Sequence, residues 1–158
     1  MNRKEKYEEI LTALEYMVEE EDDVVAVMST VVCEYHNAFP HFDWTGFYRV
    51  KKGENLLIVG PYQGSHGCLR IAFGDGVCGS AFREKKTQLV DDVTTFEGHI
   101  ACSSTTISEI VVPIFNAEGE VVAVFDVDSN APAAFDSVDV EGLKKMAAWI
   151  GAWDLRTL

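Results

Sequence analysis

"ISEIVVPIFNAEGEVVAVFDVDS", residues 107–129, holds two apolar runs joined by a polar connection that contains Asn116 and Gly119. Both runs are rich in Val, Ile and Phe and alternate at period two, so each reads as a strand; the short turn between them makes an antiparallel hairpin. Upstream, "WTGFYRV" (44–50), "LLIVGPYQ" (56–63), "CLRIAF" (68–73) and "TQLVDDV" (87–93) carry the same signature, and "KKGEN" joins the first two as another hairpin. Six strands make one sheet.

Outside the strands the period changes to that of a helix. Residues 4–19 place Tyr7, Ile10, Leu11, Leu14, Met17 and Val18 on one stripe, opposite glutamates and lysine. Asp22 or Asp23 caps a second helix, with Val24, Val27, Met28, Val31, Val32 and Tyr35 on its apolar side and Pro40 as its stop. "GDGVCGSAFREKK" predicts a tight turn into a short helix that contains Cys78. A last helix starts at "FDSVD", capped by Asp136, and runs through Val140, Leu143, Met146, Ala147, Ile150 and Trp153. The expected fold class is α+β, with a six-stranded, largely antiparallel sheet on which the N-terminal helices and a C-terminal helix pack from one face.

The chain of 158 residues is 47% hydrophobic, which fits one domain over 1–158 with a full core. Thirteen Lys and Arg against twenty-six Asp and Glu give a formal charge of −13, a field that repels phosphate backbones and anionic lipid and argues against nucleic acid and membrane as partners. "MNRKEKYEEI" has no apolar signal core, and runs such as "VVAVF" (121–125) are too short to span a bilayer, so the expectation is a soluble cytoplasmic protein. Four cysteines at this length do not form a secreted disulfide framework. In a reducing compartment they are core thiols or chemical groups.

Cys33 lies within a helical run of valines and reads as a small buried hydrophobe. Cys68 in "QGSHGC", Cys78 in "GVCGS" and Cys102 in "HIACSS" have small or polar neighbours that let a thiol approach a ligand or another thiol, so reactivity is the reading preferred over packing. Zinc is the sharper rival, because His66 precedes Cys68 and His99 precedes Cys102; no paired CxxC supports it, and lone loop histidines are commonly solvated. Alternation places Ile107, Glu109, Val111 and Pro113 on one face, and Val122, Val124, Asp126 and Asp128 together. Carboxyls among apolar neighbours lose their preference for the charged form and become proton donors near neutral pH, although Asp128 can equally end the strand and bond the next turn. Trp44, Phe47 and Tyr48 offer an aromatic wall or, more simply, core.

Taken together, "DWTGFY" (43–48), "VGPYQG" (59–64), "CLRIAFGDGVCG" (68–79), "GHIACSS" (98–104), "SEIVVPI" (108–114) and "DVDS" (126–129) resemble the free methionine-(R)-sulfoxide reductases, a family of stand-alone GAF domains. The resemblance implies a GAF fold and reduction of free L-methionine-(R)-sulfoxide, with no cofactor and no metal. It implies Cys102 as nucleophile, Cys68 as the principal resolving thiol and Cys78 as an auxiliary one. Glu109, Asp126 and Asp128 would be the sulfoxide-site carboxylates, and Trp44 and Tyr48 the pocket wall. The partners implied are free methionine sulfoxide and thioredoxin, with a homodimer left open. The alternative is a non-catalytic GAF sensor of a cyclic nucleotide or another metabolite. Against it, the cyclic-nucleotide signature is broken: Val140 stands where that signature has glutamate, and no lysine follows Asn130.

Overall fold

The computed structural model describes residues 1–157. Helices α1 (Arg3–Met17) and α2 (Val24–Ala38) lead into strands β1 (Trp44–Val50), β2 (Leu56–Gln63) and β3 (Arg70–Ala72). Helix α3 (Gly76–Glu84) and strand β4 (Gln88–Val90) follow, then β5 (Ser108–Phe115), β6 (Val121–Ser129) and helix α4 (Ser137–Ile150). The sheet runs β3-β2-β1-β6-β5-β4, and every neighbouring pair is antiparallel. β3 and β4 are shorter than the sequence pattern suggests, and residues 93–95 turn into a single 3₁₀ loop instead of extending the strand.

The helix starts follow their caps. Asn2 and Glu5 form a reciprocal capping box at α1, Asp23 accepts from the amides of Val25 and Ala26 at α2, and Asp136 pairs with Asp139 in the same way at α4. Asp139 also accepts a hydrogen bond from the Tyr7 hydroxyl at 2.8 Å and lies 3.3 Å from the Arg3 guanidinium, which ties α1 to α4. The two helices approach so closely that a Cβ on Gly142 would stand 2.3 Å from the Tyr7 ring. Only glycine fits there.

Both sheet faces are buried, which the sequence reading had not separated. One face carries Phe47, Ile110, Val112, Ile114, Phe125 and Val127 beneath α1, α2 and α4. The other carries Trp44, Tyr48, Leu57, Val111 and Val124 beneath α3, with Val77 and Cys78 from that helix. Each large aliphatic or aromatic side chain buried in this way contributes roughly 1.5–3 kcal/mol, so the broad helical face anchors the fold while the α3 face can spend apolar area on polar groups. Among the described residues no helix is long and apolar enough to cross a membrane.

Two sequence expectations change. Cys33 is exposed, because Val31, Val32 and Tyr35 turn to the core and the intervening residue points away. Val122 joins the helical face instead of the face of Val124: β5 and β6 slip register where Phe115 pairs with Val121, and the extra residue breaks the alternation. Phe47 packs beneath the helices, in keeping with the simpler reading of it as core, and the aromatic wall on the α3 side consists of Trp44 and Tyr48.

Candidate active site

The register of the central hairpin assembles the acidic side of the site. Glu109 pairs with Asp128 and Val111 with Asp126, so the three carboxyl side chains share the α3 face of neighbouring strands. On the far side of β6, β1 sets Trp44 opposite Asp128 and Gly46 opposite Asp126. Trp44 and Tyr48, two pleats apart, stack with centroids 5.8 Å apart, and the indole N–H donates to the Ser65 carbonyl at 2.9 Å. The aromatic residues are at once core and wall.

Three other segments close the space. The first turn of α3 brings Cys78, the loop after β2 brings His66 and Cys68, and the loop before β5 brings His99, Cys102 and Thr106; all but Cys68 line one cavity with the carboxyls and the aromatic wall. Gly67 lets the middle segment in, since a Cβ there would lie 2.9 Å from the Trp44 ring and 3.0 Å from the Tyr48 hydroxyl. The amide of Gly76 donates to the Gly98 carbonyl at 3.2 Å and pins the cysteine loop to the start of α3.

Cys68 and Cys102 form a disulfide with Cα atoms 5.3 Å apart, across a sequence separation of 34. In this state neither thiol can ligate zinc, so the four-ligand site of His66, Cys68, His99 and Cys102 is not formed. Cys78 is free and buried. Burial, followed by the charges of Asp126, Glu109 and Asp128, holds its thiol well above the usual range, which opposes the reactivity suggested by its glycine-rich sequence setting.

The carboxyls are almost fully enclosed, Glu109 being 6% and Asp126 5% exposed. Burial pushes Asp126 up to about 7, against the opposing effect of bonds from Glu109 and Cys78. Burial also raises Glu109 well above the carboxylate range, reinforced by the charges of Asp126 and Asp128. Asp128 is raised by burial and then by Asp126, with a bond to Thr106 acting the other way. One oxygen each of Asp126 and Asp128 has no hydrogen-bond partner among the described residues. His99 Nε2 stands 3.9 Å from Glu109 Oε2; burial lowers the His99 pKa and raises that of Glu109, so both shifts work against an ion pair at this contact. His99 and Thr106 enter the site from a loop, where no periodicity could announce them.

These shifts predict a pH dependence of stability. An acid raised by burial is ionised first in the unfolded chain, so the fold loses stability as pH climbs from about 4 to about 7 and the loss levels off above the folded value. Asp126→Asn removes this contribution. Its stability relative to the unsubstituted protein should improve between pH 4 and pH 7, by on the order of 3–4 kcal/mol, in urea melts at the two ends of that window.

The model of the GAF domain family matches residues 18–152. The chain is 39% identical over 155 residues to the free methionine-R-sulfoxide reductase of Saccharomyces cerevisiae, covering 95% of this chain and 86% of that protein. It is 32% identical to the Escherichia coli free methionine-R-sulfoxide reductase, covering 94% and 88%. The solved structure of the Neisseria meningitidis free methionine-R-sulfoxide reductase in complex with its substrate superposes with a TM-score of 0.91 at 39% identity, covering 96% of this chain and 89% of that one.

Proposed function

The chain belongs to the free methionine-R-sulfoxide reductase family of GAF domains, and from that premise we propose that it reduces free L-methionine-(R)-sulfoxide to methionine in the cytoplasm. The observation that carries this reading is a cysteine pair, Cys68 and Cys102, set beside a cavity that presents an aromatic wall and three carboxyls, Glu109, Asp126 and Asp128, whose burial raises their proton affinity.

Sulfoxide oxygen leaves sulfur readily only once it is protonated. In the proposed first half-reaction the Cys102 thiolate attacks the substrate sulfur while Glu109, aided by Asp126 and Asp128, gives a proton to the oxygen. The transient sulfur–sulfur bond and the sulfoxide sulfur–oxygen bond then break as the protonated oxygen passes to the Cys102 sulfur, so the substrate sulfur gains two electrons and departs as methionine while Cys102, oxidised by two electrons, is left as a sulfenic acid. In the second half-reaction the Cys68 thiol condenses with that sulfenic acid, releasing water and forming the Cys68–Cys102 bond. Thioredoxin then returns both sulfurs to thiols by exchange. Cys78, buried on the first turn of α3, serves as an auxiliary thiol only.

The carboxyls also select the substrate. A free amino acid carries an ammonium group that a peptide-bound methionine lacks, and the unpartnered oxygens of Asp126 and Asp128 are acceptors for it. Trp44 and Tyr48 cover the thioether chain. The same lining argues against a cyclic-nucleotide sensor, since it contains no Lys or Arg to meet a phosphate.

The decisive experiment incubates mixed epimers of free methionine sulfoxide with the protein and a reductant and separates them by chiral chromatography. Loss of the R epimer alone is expected; loss of neither epimer would overturn the assignment. With thioredoxin as reductant, Cys68→Ser should complete about one turnover and then stall. Sustained cycling in that variant would transfer the resolving role to Cys78.

A further inference from the structure

We propose that the buried acidic end of the cavity is also a binding site for a zinc-class divalent cation, held by the Cys78 thiolate with Glu109 and Asp126, and that such an ion competes with the sulfoxide substrate. The Sγ of Cys78 and one carboxylate oxygen from each of Glu109 and Asp126 lie within 4.8 Å of one another. A single ion spans that separation with ligand bonds of about 2.0–2.3 Å after small side-chain rotations. The three donors come from rigid elements, the first turn of α3 and two paired strands, so the cluster is preformed.

A second observation points to a missing cation. Asp126, 5% exposed, turns into the cavity with one oxygen that accepts no hydrogen bond, and the cavity lining holds four carboxyls, Asp75, Glu109, Asp126 and Asp128, without a lysine or arginine. A buried acceptor without a partner costs free energy that a bound cation recovers. The substrate's ammonium is one such cation; a metal ion is the other.

The donor set selects the class. A thiolate with two carboxylates disfavours magnesium and calcium, which prefer all-oxygen shells, and suits zinc or its spectroscopic surrogate cobalt. His99, 3.9 Å from Glu109 on the same lining, lies outside the three-donor group, so the fourth position falls to solvent or to His99 after its side chain rotates. Binding expels the Cys78 thiol proton and the carboxyl protons to solvent, so affinity rises with pH. This site uses neither Cys68 nor Cys102, unlike the zinc site weighed from the sequence.

The test titrates Co²⁺ into the oxidised protein, in which the Cys68–Cys102 disulfide removes both of those sulfurs from consideration. A sulfur-to-cobalt charge-transfer band saturating at one ion per chain is expected, and Zn²⁺ should bleach it. Cys33→Ser should keep the band, Cys78→Ser should lose it, and Glu109→Gln, which retains the thiol, should weaken cobalt binding at least tenfold. A chain that shows no band, or one whose band survives Cys78→Ser, overturns the site. Because this readout involves no turnover, it stands or falls separately from the reductase reading. In the reduced enzyme, Zn²⁺ should raise KM for the sulfoxide without lowering kcat; a fall in kcat at constant KM would overturn the competition.

Discussion

Replacing Cys102 with serine is expected to abolish reduction of free methionine-(R)-sulfoxide, lowering kcat/KM by at least about a thousandfold. The substitution preserves size and leaves the cavity wall intact, but a serine hydroxyl is not ionised near neutral pH and cannot take up the oxygen as a sulfenic acid. The comparison has to be made under reduction. In the oxidised protein the Cys68–Cys102 link closes a separation of 34 residues, a constraint on the unfolded chain that contributes roughly 3–4 kcal/mol, so a variant lacking it differs in stability as well as chemistry. With both proteins reduced, only the nucleophile differs. Normal turnover by Cys102→Ser would end the assignment of this thiol.

Glu109→Gln should lower kcat by about a hundredfold to ten-thousandfold, with a smaller effect on KM. The amide matches the carboxyl in shape and still accepts hydrogen bonds, but it cannot transfer a proton to the leaving oxygen. Glu109 is chosen as donor because it is 6% exposed on β5, pairs across the sheet with Asp128, and is raised by burial and by two neighbouring acids. Asp126→Asn should behave differently: if its free oxygen receives the substrate's ammonium, KM rises and kcat changes less. Steady-state kinetics on the two variants separates the roles. A Glu109→Gln enzyme with full kcat and raised KM would move proton donation to Asp126 or Asp128.

Much of this site could be read from period-two alternation. Glu109, Asp126 and Asp128 fall on one face because the hairpin of residues 107–129 keeps its register along that end. The same rule misassigned Val122, where a slip at Phe115 and Val121 adds one residue. Helical spacing identified the stripe on α2 and yet misled for Cys33, since a residue beside two core valines can still point outward. For Cys102 the sequence left the partner open between Cys68 and Cys78, and the family resemblance implied Cys68; the disulfide in the structure joins Cys102 to Cys68.

Local pattern therefore located the helices and strands and, away from the bulge at Val122, the face of most strand side chains, because those depend on neighbours a few residues away. The tertiary structure decided which thiols meet, how deeply the acids are enclosed and which of their oxygens lack a partner. Those properties come from α3 and two loops folding over the sheet from distant parts of the chain, and the resulting exclusion of water shifts proton affinity only once all the segments are in place.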